Sequence, residues 1–308
     1  MTRVTRLRAA WARLRRFGSP LGRDAPAPLP PPDLPAGRTV LLPGRGETFV
    51  RVQEGPAGQP TVVLLHGWLA SGELNWFGVY PELKGRYPVV SIDHRGHGRG
   101  IRSQRAFSLE DCADDVAALI GVLGLDRVVL AGYSMGGPIA LLCAERHPAR
   151  VEALVLAATA MEWRATRLDR LPWRLLILLG RAWRSGRAEQ VAARLFREAA
   201  ERNEGLRPLV PWLVGELRRT SAIDVMGAGR ALAGYDFRPH AARLALPAAV
   251  VLTTRDRLVQ PRKQRELAEA LGAEVFTLQA DHDACVVAFE EFAATMAAAV
   301  DHVVGARV

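Results

Sequence analysis

The chain predicts an α/β fold: a mostly parallel eight-stranded sheet, covered by helices on both faces and interrupted once by a helical insertion. Three observations predict it. Runs such as Thr61–Leu65, Val128–Ala131 and Val151–Ala157 are almost continuously apolar rather than alternating, as strands buried on both faces must be. They alternate with helix-forming segments, which is the pattern of a parallel sheet. From residue 161 to 237 the alternation stops, and helix-like segments carry Trp163, Trp173, Trp183 and Trp212 among arginines. About 75 residues without a strand is too long for a plain connection and implies a lid or cap.

Taken in order, residues 1–37 stand apart from the body. Val4, Leu7, Trp11, Leu14 and Phe17 recur at helical spacing with arginines around them, and a proline-rich spacer follows over 24–36. Such a basic amphipathic segment fits peripheral contact with an anionic membrane through residues 1–23; it equally fits a helix packed on the body or an arginine-rich tail. The body is expected over 38–160 and 238–308. Thr39–Leu42 and Thr48–Gln53 read as an antiparallel pair joined through Pro43–Gly46. Thr61–Leu65 is the next strand, a helix is expected within Glu73–Lys84, and Val89–Asp93 is a further strand. Ser108-Leu-Glu-Asp111 resembles a capping box opening a helix to about Leu123. The strand from Val128 runs into Gly132-Tyr-Ser-Met-Gly-Gly137 and a helix to Arg146, and Val151–Ala157 follows. Beyond the insertion come strand Ala248–Thr253, helix Arg262–Leu271, strand Glu274–Leu278 and helix Phe289–Val304.

Charge and cysteine content exclude some functions. Of the formal net charge of +9, seven units are the arginines that precede Asp24, so the body carries only about +2 and is not a nucleic-acid binder by charge. Cys112, Cys143 and Cys285 have no metal-type spacing and read as reduced, mostly buried thiols, which favours a cytoplasmic setting. No apolar run reaches the roughly 18 residues of a spanning helix, and the N-terminus lacks the apolar core of a secretory signal. Nothing in the chain calls for a metal or a cofactor.

The chemistry is expected where the parallel strands end, since ligands of open α/β sheets bind at the carboxyl edge. Five stretches converge there: His66-Gly67-Trp68, Asp93, Ser134, Asp256 and His282. Gly132-Tyr133-Ser134-Met135-Gly136 packs a strand, a sharp turn and a helix so closely that the flanking glycines are required, and it presents Ser134 at a helix N-terminus as a nucleophile. Among seven histidines, His282 lies just past the last strand, where its imidazole can reach Ser134; His94 and His97 share a loop near the site and are its rivals. Asp256 follows a strand and suits a carboxylate that orients the histidine; Asp281 and Asp283, beside His282, are the alternatives. The backbone N–H groups of Met135 and Trp68 are the expected oxyanion donors. His66, Gly67, Gly132, Tyr133 and Gly136 shape the site, and Asp93-His-Arg-Gly-His-Gly98 a turn beneath it.

This set of motifs, with Tyr235-Asp-Phe-Arg-Pro239, resembles the α/β-hydrolase superfamily, in the branch with a helical cap after the sixth strand. The resemblance covers residues of about 38 to 304. It implies that Ser134 is the nucleophile, His282 the general base and acid, and Asp256 the orienting acid, with residues 161–237 as the cap. One departure is Asp281, where many relatives have glycine. Serine at the nucleophile position argues against the similar dehalogenase and epoxide-hydrolase branches, which use aspartate. The expectation is a carboxylic-ester hydrolase for a small-molecule substrate with an apolar acyl or alcohol group, consistent with the apolar run Leu171–Leu179. A thioesterase, a carbon–carbon bond hydrolase and a cofactor-free perhydrolase share that machinery. A non-catalytic ligand-binding or membrane-associated module is the alternative of a different class.

Overall fold

In a computed structural model, residues 33–163 and 203–306 are described, with 194, 197, 198, 200 and 201. The expectations for residues 1–23 and for Leu171–Leu179 lie outside the described residues. The chain order is β1 (Ala36–Leu42), β2 (Gly46–Gln53), β3 (Thr61–Leu65), α1 (Gly72–Trp76), α2 (Val79–Leu83), β4 (Val89–Ile92), α3 (Leu109–Val122), β5 (Val128–Tyr133), α4 (Gly136–Arg146) and β6 (Val151–Ala157). Then come α5 (Val210–Arg218), α6 (Ala222–Gly234), α7 (Arg238–Ala241), β7 (Ala248–Thr253), α8 (Pro261–Leu271), β8 (Glu274–Leu278), α9 (Ala284–Val287) and α10 (Phe289–Gly305).

Among the described residues the strands form one eight-stranded sheet in the order β1-β2-β4-β3-β5-β6-β7-β8, parallel except where β2 meets β1 and β4. The central strands are apolar at successive positions because both faces are covered. In β3, Val63 and Leu65 enter one core, with Leu119, Ile139 and Leu267 from α3, α4 and α8. Val62 and Leu64 enter the other, with Tyr80, Leu83, Phe292 and Val300 from α2 and α10. Each of these side chains, fully buried, stabilises the fold by about 1.5–3 kcal/mol.

Sequence periodicity and structure part at Glu73–Lys84, where one helix is replaced by two short ones. The break is at Gly78, whose missing Cβ leaves room for Phe289: a Cβ there would lie 3.1 Å from its ring and 3.2 Å from its carbonyl oxygen. Pro81, inside α2, has no N–H to bond backward across the break. Helix α3 starts as the capping pattern predicts, with Asp111 N–H donating 3.0 Å to Ser108 Oγ.

Between β6 and β7 the described residues hold α5, α6 and α7 and no named strand; a lone bridge pairs Glu162 with Asp236 where the insertion leaves and rejoins the sheet. Its second half docks on the loops at the carboxyl edge. Ser221 N–H donates to Gly96 O at 3.0 Å, and Ser71 Oγ donates to Glu216 Oε2 at 2.9 Å. Gly96 has a φ of 75°, and a Cβ there would lie 2.1 Å from that of Asp224, so only glycine admits α6 this close. Among the described residues no helix is long and apolar enough to cross a membrane.

Candidate active site

The turn between β5 and α4 is set by crowding. A Cβ on Gly136 would lie 2.0 Å from Leu65 O, and one on Gly132 2.4 Å from Gly136 O. With those positions bare, the chain reverses through Ser134 at a φ of 53°, a left-handed conformation that costs on the order of 1–3 kcal/mol in a residue with a side chain. Neighbours hold it there. Ser134 N–H donates to Ala157 O at 2.9 Å, and its carbonyl accepts from Gly137 N–H at 2.9 Å and from Thr159 Oγ1 at 2.8 Å.

Ser134 Oγ lies 3.0 Å from His282 Nε2, and His282 Nδ1 lies 2.8 Å from Asp256 Oδ2. Since an ionised carboxylate only accepts, the proton sits on Nδ1, and Nε2 is left to accept from Ser134. Asp256 is buried at 3 % exposure, yet its lone pairs are filled. Oδ1 accepts the N–H groups of Leu258 (2.9 Å) and Val259 (2.7 Å); Oδ2 also accepts from Thr253 Oγ1 (2.8 Å) and Gln264 Nε2 (3.2 Å).

The rivals for the place beside Ser134 lie elsewhere. His94 and His97 are fully buried in a cluster with His66, their rings 4.4 and 5.6 Å from its centroid. Asp281 turns away from the imidazole: its Oδ1 accepts the N–H groups of His282 (2.8 Å) and Arg257 (3.0 Å), and Oδ2 pairs with the Arg257 guanidinium at 2.5 Å. Burial raises its pKa, but these donors outweigh it and hold the carboxyl below its usual range. This acid thus clasps two loops together.

His66 sets the loop after β3. Its Nε2 accepts His94 N–H at 2.9 Å, so Nδ1 carries the proton and donates to Gly67 O at 2.8 Å. That carbonyl belongs to the same planar peptide as Trp68 N–H, so fixing one end aims the other. Burial drops the His66 pKa to about 4, offset in part by its bond to Gly67, and keeps the ring neutral as this geometry requires. The Trp68 indole N–H reaches 2.8 Å to Val225 O on α6. At the N-terminus of α4, Met135 N–H has no hydrogen-bond partner among the described residues.

Ser134 and His282 open into a cavity of about 530 Å³ walled by Trp68, Leu74, Leu217, Leu258 and Val286, with Arg257 and Asp281 at one side. Leu217 comes from the insertion. The lining also includes Asn75, on α1 and outside the motifs, and Tyr133, which precedes the serine and donates its hydroxyl proton to His282 O. Tyr133 was legible as a neighbour of Ser134, whereas a single asparagine within a short helix has no signature. Among the described residues no group of three or more His, Cys, Asp or Glu side chains is arranged to hold a metal ion. The three cysteines are free and buried, as their spacing predicts.

Comparison with known proteins bears on this architecture. A family model described as the alpha/beta hydrolase fold matches residues 60–289. The AB hydrolase superfamily protein YisY of Bacillus subtilis is 26% identical over 209 residues, which is 65% of this chain and 75% of that protein. Of the length of seven other curated relatives the chain spans 28% to 39%. Among solved structures, an enol-lactonase from Burkholderia xenovorans superposes with a TM-score of 0.72 at 23% identity, covering 86% of this chain and 100% of that one. An esterase from Exiguobacterium antarcticum gives 0.72 at 22% identity, with the same coverage. At such identities the likeness is one of fold.

Proposed function

The chain belongs to the α/β-hydrolase fold family, and on that footing we propose that it is a serine hydrolase acting on a carboxylic ester with an apolar acyl or alcohol group. The observation that carries this reading is the unbroken line from Ser134 Oγ through His282 to a buried, fully hydrogen-bonded Asp256, at 3.0 and 2.8 Å. A module that only binds ligands has no use for such a line. In this mechanism Ser134 Oγ attacks the acyl carbon while His282 Nε2 takes its proton, and Asp256 stabilises the imidazolium. The developing oxyanion is held by the N–H groups of Met135 and Trp68. Losing one such donor costs about 2.7–4 kcal/mol of activation free energy. His282 then protonates the leaving alcohol, and water, activated by the same imidazole, releases the acid from the acyl-enzyme.

The apolar walls of the cavity favour an apolar group, and the segment between β6 and β7 contributes Leu217 to those walls. A fluorophosphonate probe tests the nucleophile: the wild type takes one label and Ser134→Ala takes none. Labelling that persists at another residue overturns the assignment. p-Nitrophenyl esters and acyl-CoA thioesters of graded length test the substrate class, with esters turned over faster than thioesters of equal length.

A further inference from the structure

Beyond the proposed triad, the site contains a second line of polar groups. Gly67 N–H, one residue before the proposed oxyanion donor Trp68, donates to Asn75 Oδ1 at 2.6 Å. The Asn75 Nδ2 group donates to Cys285 Sγ at 3.1 Å. Cys285 lies three residues past His282, and the Tyr133 hydroxyl donates to the carbonyl oxygen of His282. All three side chains are buried, at 3–4 % exposure. Burial pushes the Cys285 thiol up to about 12 and the Tyr133 phenol well above its usual value. Both groups therefore keep their protons: Tyr133 donates to His282 O, and Asn75 donates to Cys285 while its Oδ1 accepts from Gly67.

The line runs from the oxyanion loop to the segment that carries the residue that moves the proton, and none of its members needs to touch the reacting atoms. The two loops belong to different elements, after β3 and after β8, and each must be held to within a fraction of an ångström for the chemistry. His66 fixes the peptide on one side of Gly67; Asn75 fixes the peptide on the other. We infer that Asn75 is a positioning residue for the proposed hydrolysis, presetting the oxyanion loop and tying it through Cys285 to the segment that carries His282. The inference rests on the ester-hydrolase reading above.

The test measures kcat and KM on a short p-nitrophenyl ester, with fluorophosphonate labelling and thermal melting of the same samples. Asn75→Ala is expected to lower kcat ten- to a hundredfold with KM within threefold, while the melting temperature and the stoichiometry of labelling stay close to wild type. Cys285→Ala is expected to lower kcat several-fold, and Cys285→Ser, which keeps a donor and an acceptor, to lose less. The double variant Asn75→Ala/Cys285→Ala should be no slower than Asn75→Ala alone, because the link is already cut. Asn75→Ala with kcat within twofold of wild type overturns the inference. So does a loss of kcat that comes with an equal rise in KM and a collapsed melting temperature, the mark of a structural role. If Asn75→Ala does not fold, the cysteine pair decides: equal kcat for Cys285→Ala and Cys285→Ser overturns the tie, and a slower alanine variant supports it. A wild type that takes neither label nor ester overturns the ester-hydrolase reading, and this inference with it.

Discussion

Asp256 accepts five hydrogen bonds, from two backbone N–H groups, a hydroxyl, a carboxamide and an imidazole. An asparagine can fill only half of that set, because its NH2 group donates where the carboxylate accepted. Whichever way it turns, it faces either the Leu258 and Val259 N–H groups or the histidine with a donor. Turned toward His282, it forces the proton onto Nε2 and removes the acceptor for Ser134. Asp256→Asn is therefore expected to lower kcat about ten-thousand-fold with little change in melting temperature, measured by ester hydrolysis and thermal unfolding. A loss below tenfold would move the acid elsewhere. At this scale Ser134, His282 and Asp256 were legible because each follows a recognisable strand. Asn75 and Cys285 were not, since they meet only through the fold, from positions 210 residues apart. Asp281 was legible as a departure, but its clasp on Arg257 was not.

Elements meet at the carboxyl edge through a cluster of buried charge. Arg99 donates to Glu73 Oε1 on α1 (2.5 and 2.6 Å) and to Glu216 on α5 (3.1 and 3.2 Å); Arg51 on β2 shares Glu73, and Arg219 shares Glu216. The Arg99 guanidinium also lies over the Phe49 ring, 4.0 Å from its centroid. Burial, with Glu216 nearby, raises the Glu73 pKa against the pull of Arg99 and Arg51. Removing the shared guanidinium leaves two buried carboxylates facing each other. Arg99→Ala is expected to cost about 3–5 kcal/mol in urea unfolding, and a loss under about 1 kcal/mol would show the cluster to be dispensable. Strands β3 to β7 were legible from composition because burial on both faces leaves little room for polar residues; Ser91 in β4 is admitted by its bond from the Tyr80 hydroxyl. The docking of α5 and α6 was not legible, since paired charges inside a protein look in sequence like ordinary surface charges.

For the molecule as a whole, the histidine cluster ties stability to pH. Burial lowers the His97 pKa to about 3, with the neighbouring His66 adding to it, and burial first of all holds His94 well below its ordinary value; His66 lies at about 4. In the unfolded chain each would titrate near 6.5. A depressed native pKa means that the unfolded chain binds more protons as pH falls from about 6.5 toward 4. The stabilisation is complete above that window and is lost within it, by up to about 1.4 kcal/mol per pH unit for each ring. Urea midpoints measured at pH 7, 6, 5 and 4 should fall increasingly steeply, with protons taken up on unfolding; a flat profile from pH 7 to 5 would mean that the rings are not buried and neutral. The strands and their number follow from apolar patterning, but their order in the sheet and the shape of the cavity depend on residues whose partners lie far along the chain. The indole of Trp68 is the plainest case, bonded to Val225 on α6 while Trp68 also lines the cavity with Ser134 and His282. On the proposed mechanism, the part that selects a substrate therefore also braces the part that turns it over. Exchanging the insertion for a relative's would alter speed along with taste, unless the newcomer brings a carbonyl to the same spot.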